Sequence, residues 1–261
     1  MTRIDVPGHD IVGIRAANGG PFTLTGTNSW IVGREPAWLV DPGPALAEHL
    51  EALEAELNRR GGLGGLALTH DHADHSGASV AVRERYPDAA AAAARGPVDV
   101  RLEDGSTIGP FEAVAIPGHA RDHLAFIAGN AGLTGDAVLG EGSVFVVGQM
   151  KDYLAGLERL RARSLEVLLP GHGPLIADPL AKLDEYIEHR LDRERRLLAA
   201  LDAGMRRTDE LLDEVWDDAP AYLRSAAAVT LAAHLDKLDD EGRLPPGAER
   251  PRIAWPEGFE P

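Results

Sequence analysis

The chain has 261 residues, 44% hydrophobic and 26% charged, the balance of a folded protein and not of a disordered one. It has no cysteine, which excludes disulfides, thiolate metal sites and a cysteine nucleophile; its net charge of −16 weighs against general nucleic-acid binding. Its longest apolar stretches, such as 89–94, fall far short of the roughly 20 residues of a membrane span, and the start MTRIDVPGHD has no apolar signal region, so a cytoplasmic protein without a membrane segment is expected.

In chain order, short apolar or alternating runs predict strands over 22–32, 38–40, 66–68, 112–116, 123–127 and 165–169. The alanine run 89–94 between Pro87 and Pro97 predicts a further, buried strand. Helices are predicted over 45–60, where Leu46, Leu50, Leu53 and Leu57 recur at helical spacing before Gly61-Gly62, and over 76–86 and 149–163. Strands interleaved with helices imply sheets covered by helices. From about Ala181 strand-like runs stop, so 1–180 and 181–261 are expected as two domains. In the second, Leu183, Ile187, Leu191, Leu198 and Leu201 mark one stripe of a long helix ending at Gly204. Thr208 is placed to cap a short helix and Pro220 to open a third, while the tail 245–261 is expected to lie extended over the surface.

The densest chemistry follows the strand at 66–68. Thr69-His70-Asp71-His72-Ala73-Asp74-His75 sets three His and two Asp within six residues, a density that packing does not require. Imidazole is a borderline ligand suited to zinc-like ions, and carboxylate adds a harder oxygen that can also hold a proton. His119, Asp136 and His172 each follow an apolar run and stand beside glycine, in Pro117-Gly118-His119, Thr134-Gly135-Asp136 and Pro170-Gly171-His172. Strand ends along one sheet edge can bring such residues to one point.

This pattern resembles the metallo-β-lactamase superfamily: His70, His72, Asp74 and His75 meet its HxHxDH signature, and the later residues keep its order across roughly 12–180. The resemblance implies an α/β fold, the αββα sandwich. It implies one metal on His70, His72 and His119, a second on Asp74, His75 and His172, and Asp136 bridging them, with Zn2+ the expected ion. The lactamase-beta-2-like branch shares the start Thr27-Asn28-Ser29-Trp30-Ile31-Val32-Gly33, the GD-x-x-LGEG stretch at 135–142 and a winged-helix-like C-terminal domain. Family members commonly place Thr where Ala120 follows His119 here. Without cysteine and with Asp136 in the bridging position, β-lactam hydrolysis is not expected. Two cations about 3.5–4 Å apart would yield a bridging hydroxide near neutral pH, and Asp74 is the expected catalytic residue, orienting it and shuttling its proton.

Asp41, in Val40-Asp41-Pro42-Gly43, reads equally as a turn-starting Asp or as a residue orienting a ligand His. His123, Glu141, Ser143 and Tyr153 are candidates for substrate contact. His9, His49, His189 and His234 are expected to take no part in catalysis, and the charged run 189–196 reads as a solvated helix face.

Three functions compete. The preferred one is hydrolysis of an ester, thioester or similar bond in a small or carrier-bound substrate. The branch also implies an endoribonuclease acting on single-stranded RNA, but such a binder offers a basic groove and aromatic platforms. Residues 1–180 carry 14 Lys and Arg against 23 Asp and Glu, and aromatics make up 5% of the chain. The third is a DNA-binding sensor. Residues 181–261 carry 12 basic against 19 acidic residues, and the helix after Pro220 sets Arg224 and Lys237 against Asp236, Asp239, Asp240 and Glu241. A phosphate-reading helix has the opposite balance.

Overall fold

A computed structural model describes residues 1–253. The first half contains β1 (Thr2–Asp5), β2 (Ile11–Arg15), β3 (Asn28–Val32), β4 (Ala37–Val40), α1 (Ala47–Arg59), β5 (Leu63–Ala67), α2 (Ala73–Ser76), α3 (Ser79–Arg85), β6 (Ala90–Ala93) and β7 (Val100–Arg101). The second contains β8 (Thr107–Ile108), β9 (Phe111–Ala115), β10 (Leu124–Ala128), β11 (Ala131–Gly135), α4 (Met150–Arg161), β12 (Val167–Pro170), α5 (Pro179–Asp202), α6 (Thr208–Val215) and α7 (Arg224–Asp240). β1 to β7 form one sheet in chain order, antiparallel to β4 and parallel after it; β12-β11-β10-β9-β8 form the other.

Side-chain alternation builds the layers. On β3, Trp30 and Val32 face the second sheet and pack with Phe126, Leu133 and Leu169, whereas Ile31 faces α1 and α3 and packs with Leu53, Leu57 and Val82. The outer face of the second sheet, with Ile116 and Leu168, is covered by Tyr153 and Leu157 of α4 and Leu183 of α5. Helix, sheet, sheet and helix therefore stack as an αββα sandwich. Each fully buried large side chain contributes about 1.5–3 kcal/mol, so the three apolar layers together stabilise the sandwich. Parallel strands β4, β5 and β6 all end at one rim, as does the β12 end, and the loops leaving that rim carry the His and Asp cluster.

The region after Pro179 is helical among the described residues and has no strand pair that would form a wing. It has its own apolar cluster, with Leu197, Leu211, Trp216 and Leu235, but also shares a core with the sandwich through Leu183, Tyr186, Ile187 and Ala233. Three expectations need correction. Leu191 is exposed, while Arg190, Arg193 and Glu194 of the supposed solvated run are buried. Glu194 pairs with Lys237 (2.7 Å) and Arg243 (3.0 Å), Arg193 pairs with Asp218 (2.6 Å), and Arg190 Nη2 donates to Ser143 Oγ (2.9 Å). Thr208 is the first helical residue of α6 and not its cap; Glu210 Oε2 accepts the Arg207 N–H there (3.3 Å). The described part of the tail lies across α7, where Arg250 pairs with Asp236 and Asp239; the rest of that expected extended segment, 254–261, lies outside the described residues. Both basic side chains expected on α7 are held by carboxylates, Arg224 by Asp213 and Lys237 by Glu194 and Glu241. Among the described residues no helix is long and apolar enough to cross a membrane.

His234 of α7 is wholly buried. Burial, and then the charge of Arg190, pushes its imidazole down to about 3 from 6.5. The unfolded state therefore binds more protons between pH 6.5 and about 3, and stability falls as the pH falls through that window. His234→Leu should give a shallower acid limb in the profile of denaturant midpoint against pH. An acid limb as steep as that of the parent protein would reject this account.

Candidate metal centre

The cluster is assembled from four loops. His70 follows β5, His72 precedes α2, and Asp74 and His75 lie on its single turn. His119 comes from the β9–β10 connection, Asp136 directly after β11, and His172 just after β12. The shared start of the chain explains itself here: Asn28 Nδ2 donates to Pro170 O (3.0 Å) and Gly173 O (3.1 Å), and Trp30 Nε1 donates to Pro170 O (3.1 Å). These bonds tie the β3 edge to the loop that carries His172. Gly171 is required by close approach, since a Cβ there would stand 2.5 Å from both Asp136 Oδ1 and His75 Cε1.

Asp41 is the hub beneath the cluster. It is buried, adopts a left-handed φ of +53°, which Asp tolerates better than most residues, and accepts three hydrogen bonds. Thr69 N–H donates to Oδ1 (2.8 Å), Thr69 Oγ1–H to Oδ2 (2.7 Å), and His75 Nδ1–H to Oδ2 (2.9 Å). Because the Thr69 hydroxyl proton is committed to Asp41, Thr69 Oγ1 accepts from His70 Nδ1–H (2.9 Å). One carboxylate thus fixes the tautomers of two histidines and leaves both Nε2 atoms as lone-pair donors. Gly26 O does the same for His172, accepting from Nδ1 (3.4 Å).

The donor atoms then converge. His70 Nε2 lies 3.0 Å from His72 Nδ1, which lies 3.1 Å from His119 Nε2. His75 Nε2 lies 3.2 Å from His172 Nε2, and Asp74 Oδ2 lies 3.2 Å from His172 Nε2. Asp136 stands between the groups, with Oδ1 3.4 Å from His75 Nε2 and Oδ2 3.5 Å from His119 Nε2. His70, His72 and His119 form one triad able to hold a cation; Asp74, His75 and His172 form a second. Lone pairs aimed at one another across 3.2 Å repel unless a proton or a metal cation sits among them. The buried Asp136 Oδ1 also has no hydrogen-bond partner among the described residues. The all-nitrogen and oxygen donor set fits a divalent metal.

Electrostatics favour the same occupant. Burial holds His70 well below its ordinary value and His119 down to about 4, so both are neutral donors at pH 7. Burial also opposes charge on His75 and His172, but the Asp136 carboxylate, helped by Asp41 or Asp74, outweighs it and raises His75 well above its ordinary value and His172 to about 9. A cation replaces the protons that these carboxylates otherwise attract, so metal affinity falls as pH falls.

Three substrate-contact expectations meet a different geometry. His123 is buried under the cluster, stacked on His70 (ring centroids 4.9 Å), and its Nε2 accepts the Asp136 N–H (3.1 Å). Tyr153 is wholly buried in the α4 core layer, and its hydroxyl donates to Ala137 O (2.7 Å). Ser143 is exposed, but its Oγ accepts from Arg190 (2.9 Å); Glu141 is exposed on the same segment. Phe22 and Phe145, which no motif in the sequence marks, join the site. Phe145 packs on the His119 ring (5.0 Å), and the exposed Phe22 meets Phe145 edge-on (6.4 Å).

The family model described as Metallo-beta-lactamase superfamily matches residues 22–98. The chain is 32% identical over 247 residues to a beta-lactamase-like protein 2 homolog of Caenorhabditis elegans, covering 86% of this chain and 82% of that one. It is 32% identical over 237 residues to an atrochrysone carboxyl ACP thioesterase of Emericella nidulans, covering 84% and 76%. In fold it is similar to a beta-lactamase domain protein from Burkholderia ambifaria, with a TM-score of 0.76 at 19% identity over 92% of this chain and 88% of that one.

Proposed function

Because the chain belongs to the metallo-beta-lactamase superfamily, in its lactamase-beta-2-like branch, and is a hydrolase of that fold, we propose that it is a binuclear zinc enzyme that hydrolyses a thioester or ester of a small or carrier-bound substrate. The observation that carries this reading is the pair of donor triads joined by Asp136, with ligand lone pairs oriented from below by Asp41. Divalent cations held by these residues supply Lewis acidity and bring the pKa of a water toward neutrality.

The chain's own residues do the rest. Asp74 is the most open carboxylate of the cluster, its side chain 30% exposed against 8% for Asp136. It therefore faces incoming substrate and can take the water proton as the oxygen attacks the acyl carbon. When the carbon–sulfur bond breaks, the same carboxyl returns that proton to the leaving thiolate. His123 steadies Asp136 through its backbone N–H, which keeps the shared carboxylate in place.

The thioesterase relative supports an acyl carrier substrate, and the net charge of −16 disfavours a polyanion. The test incubates the metal-loaded enzyme with a thioester panel and with single-stranded RNA. Metal-dependent thioester cleavage is expected, with negligible RNA cutting. Metal-dependent RNA cutting without thioester turnover would replace this reading by the endoribonuclease one.

A further inference from the structure

Arg190 on α5 is 2% exposed and forms no ion pair among the described residues. A buried cation without a counter-charge destabilises a fold unless its donors are used elsewhere. The charge is felt by its neighbours: after burial, Arg190 is the leading cause that lowers His189 to about 4 and His234 to about 3. One of its terminal nitrogens is used by the segment between β11 and α4. One Nη2 donates to Ser143 Oγ (2.9 Å) and to Val144 O, and the guanidinium lies 5.8 Å over the Tyr153 ring.

The same segment is pinned on both sides of Phe145. Thr230 Oγ1 of α7 accepts the Val146 N–H (3.2 Å), and Val147 N–H donates to Gly118 O. Gly118 in turn rests on Tyr153, where a Cβ would stand 2.6 Å from the ring. Phe145 is thereby turned onto His119, with Phe22, 66% exposed, beside it.

We propose that Arg190 is a positioning residue that holds Phe145 over His119, so that Phe145 and Phe22 form the wall on which the apolar acyl or aryl group of the substrate lies. This rests on the thioester or ester reading above. A short acyl group reaches only the metal centre, whereas a longer one also covers the two rings, so discrimination grows with chain length.

The test compares octanoyl with acetyl thioesters and, separately, the binding of octanoate by calorimetry. The proteins are the metal-loaded parent, Phe22→Ala, Ser143→Ala, Arg190→Met and Arg190→Lys. Octanoate affinity should fall about tenfold in Phe22→Ala and Arg190→Met, and the octanoyl-to-acetyl ratio of kcat/KM by a similar factor, carried by KM. Arg190→Lys should recover part of the loss. Ser143→Ala, at an exposed position, removes one acceptor and should shift both readouts in the same direction even if Arg190→Met does not fold. Parent-like octanoate affinity in Ser143→Ala and in every folded Arg190 variant would overturn the proposal. If neither thioester is cleaved, the reading of the reaction falls, while octanoate binding still decides the wall. Loss of single-stranded RNA binding in Phe22→Ala with octanoate binding intact would overturn the acyl assignment.

Discussion

Asp74→Ala should lower thioester hydrolysis by about 10²–10⁴-fold, the range for loss of a positioned proton-transfer group. Its Oδ2 stands 3.2 Å from His172 Nε2 and 3.6 Å from His75 Nε2, so the substitution removes an oxygen donor and the open carboxylate together. His70, His72 and His119 are untouched and should still retain metal, which elemental analysis of the variant would report. Asp74→Asn separates the two roles, keeping an oxygen at the same place while losing the proton acceptor. If Asp74→Ala lost metal yet kept its rate within a few-fold of the parent, the two-site mechanism would be wrong.

Asp41→Ala, although Asp41 belongs to neither donor triad, should cost about 10–100-fold in metal affinity or activity. The substitution leaves Thr69 N–H, Thr69 Oγ1–H and His75 Nδ1–H without their buried acceptor. Each such orphan costs about 1–3 kcal/mol, and alanine is strained at a φ of +53°. Freed from Asp41, the Thr69 hydroxyl can donate to His70 Nδ1, which moves the His70 proton to Nε2, the atom meant to face metal. Competition with a chelator of known affinity measures the loss, and thermal unfolding reports the stability change. Parent-like metal affinity in the variant would show that the hub does not set the ligand tautomers.

The cluster was legible because its chemistry is local in sequence: four of its residues fall within 70–75, and His119, Asp136 and His172 follow apolar runs that end at one rim. Strands rich in large apolar residues, such as β3 and β10, were legible for the same reason. β11, Ala-Gly-Leu-Thr-Gly, is not among the predicted strands, yet it is buried between β10 and β12, where sheet pairing overrides its weak strand propensity. β2 was missed beside Gly13, which is there because the Trp30 ring occupies the space of a side chain. The charged face of α5 misled because charge alone does not reveal that Glu194 meets Lys237 and Arg243, or that Arg190 meets the 143–144 backbone. His123 and Tyr153 lie close to the site in sequence, but their side chains turn into the layer beneath it. Asp41 shows the limit most clearly. Its sequence context offered a turn or a ligand-orienting role, and only the folded chain brings Thr69 and His75 to the same carboxylate.

The central claim, two cations per chain held by triads that share Asp136, is tested most directly by the metal-to-protein ratio of the parent protein. Elemental analysis of protein purified without chelator and equilibrated with zinc should give two equivalents of divalent metal per chain. A ratio of one or less after that loading would contradict the account, whatever the rate on any substrate.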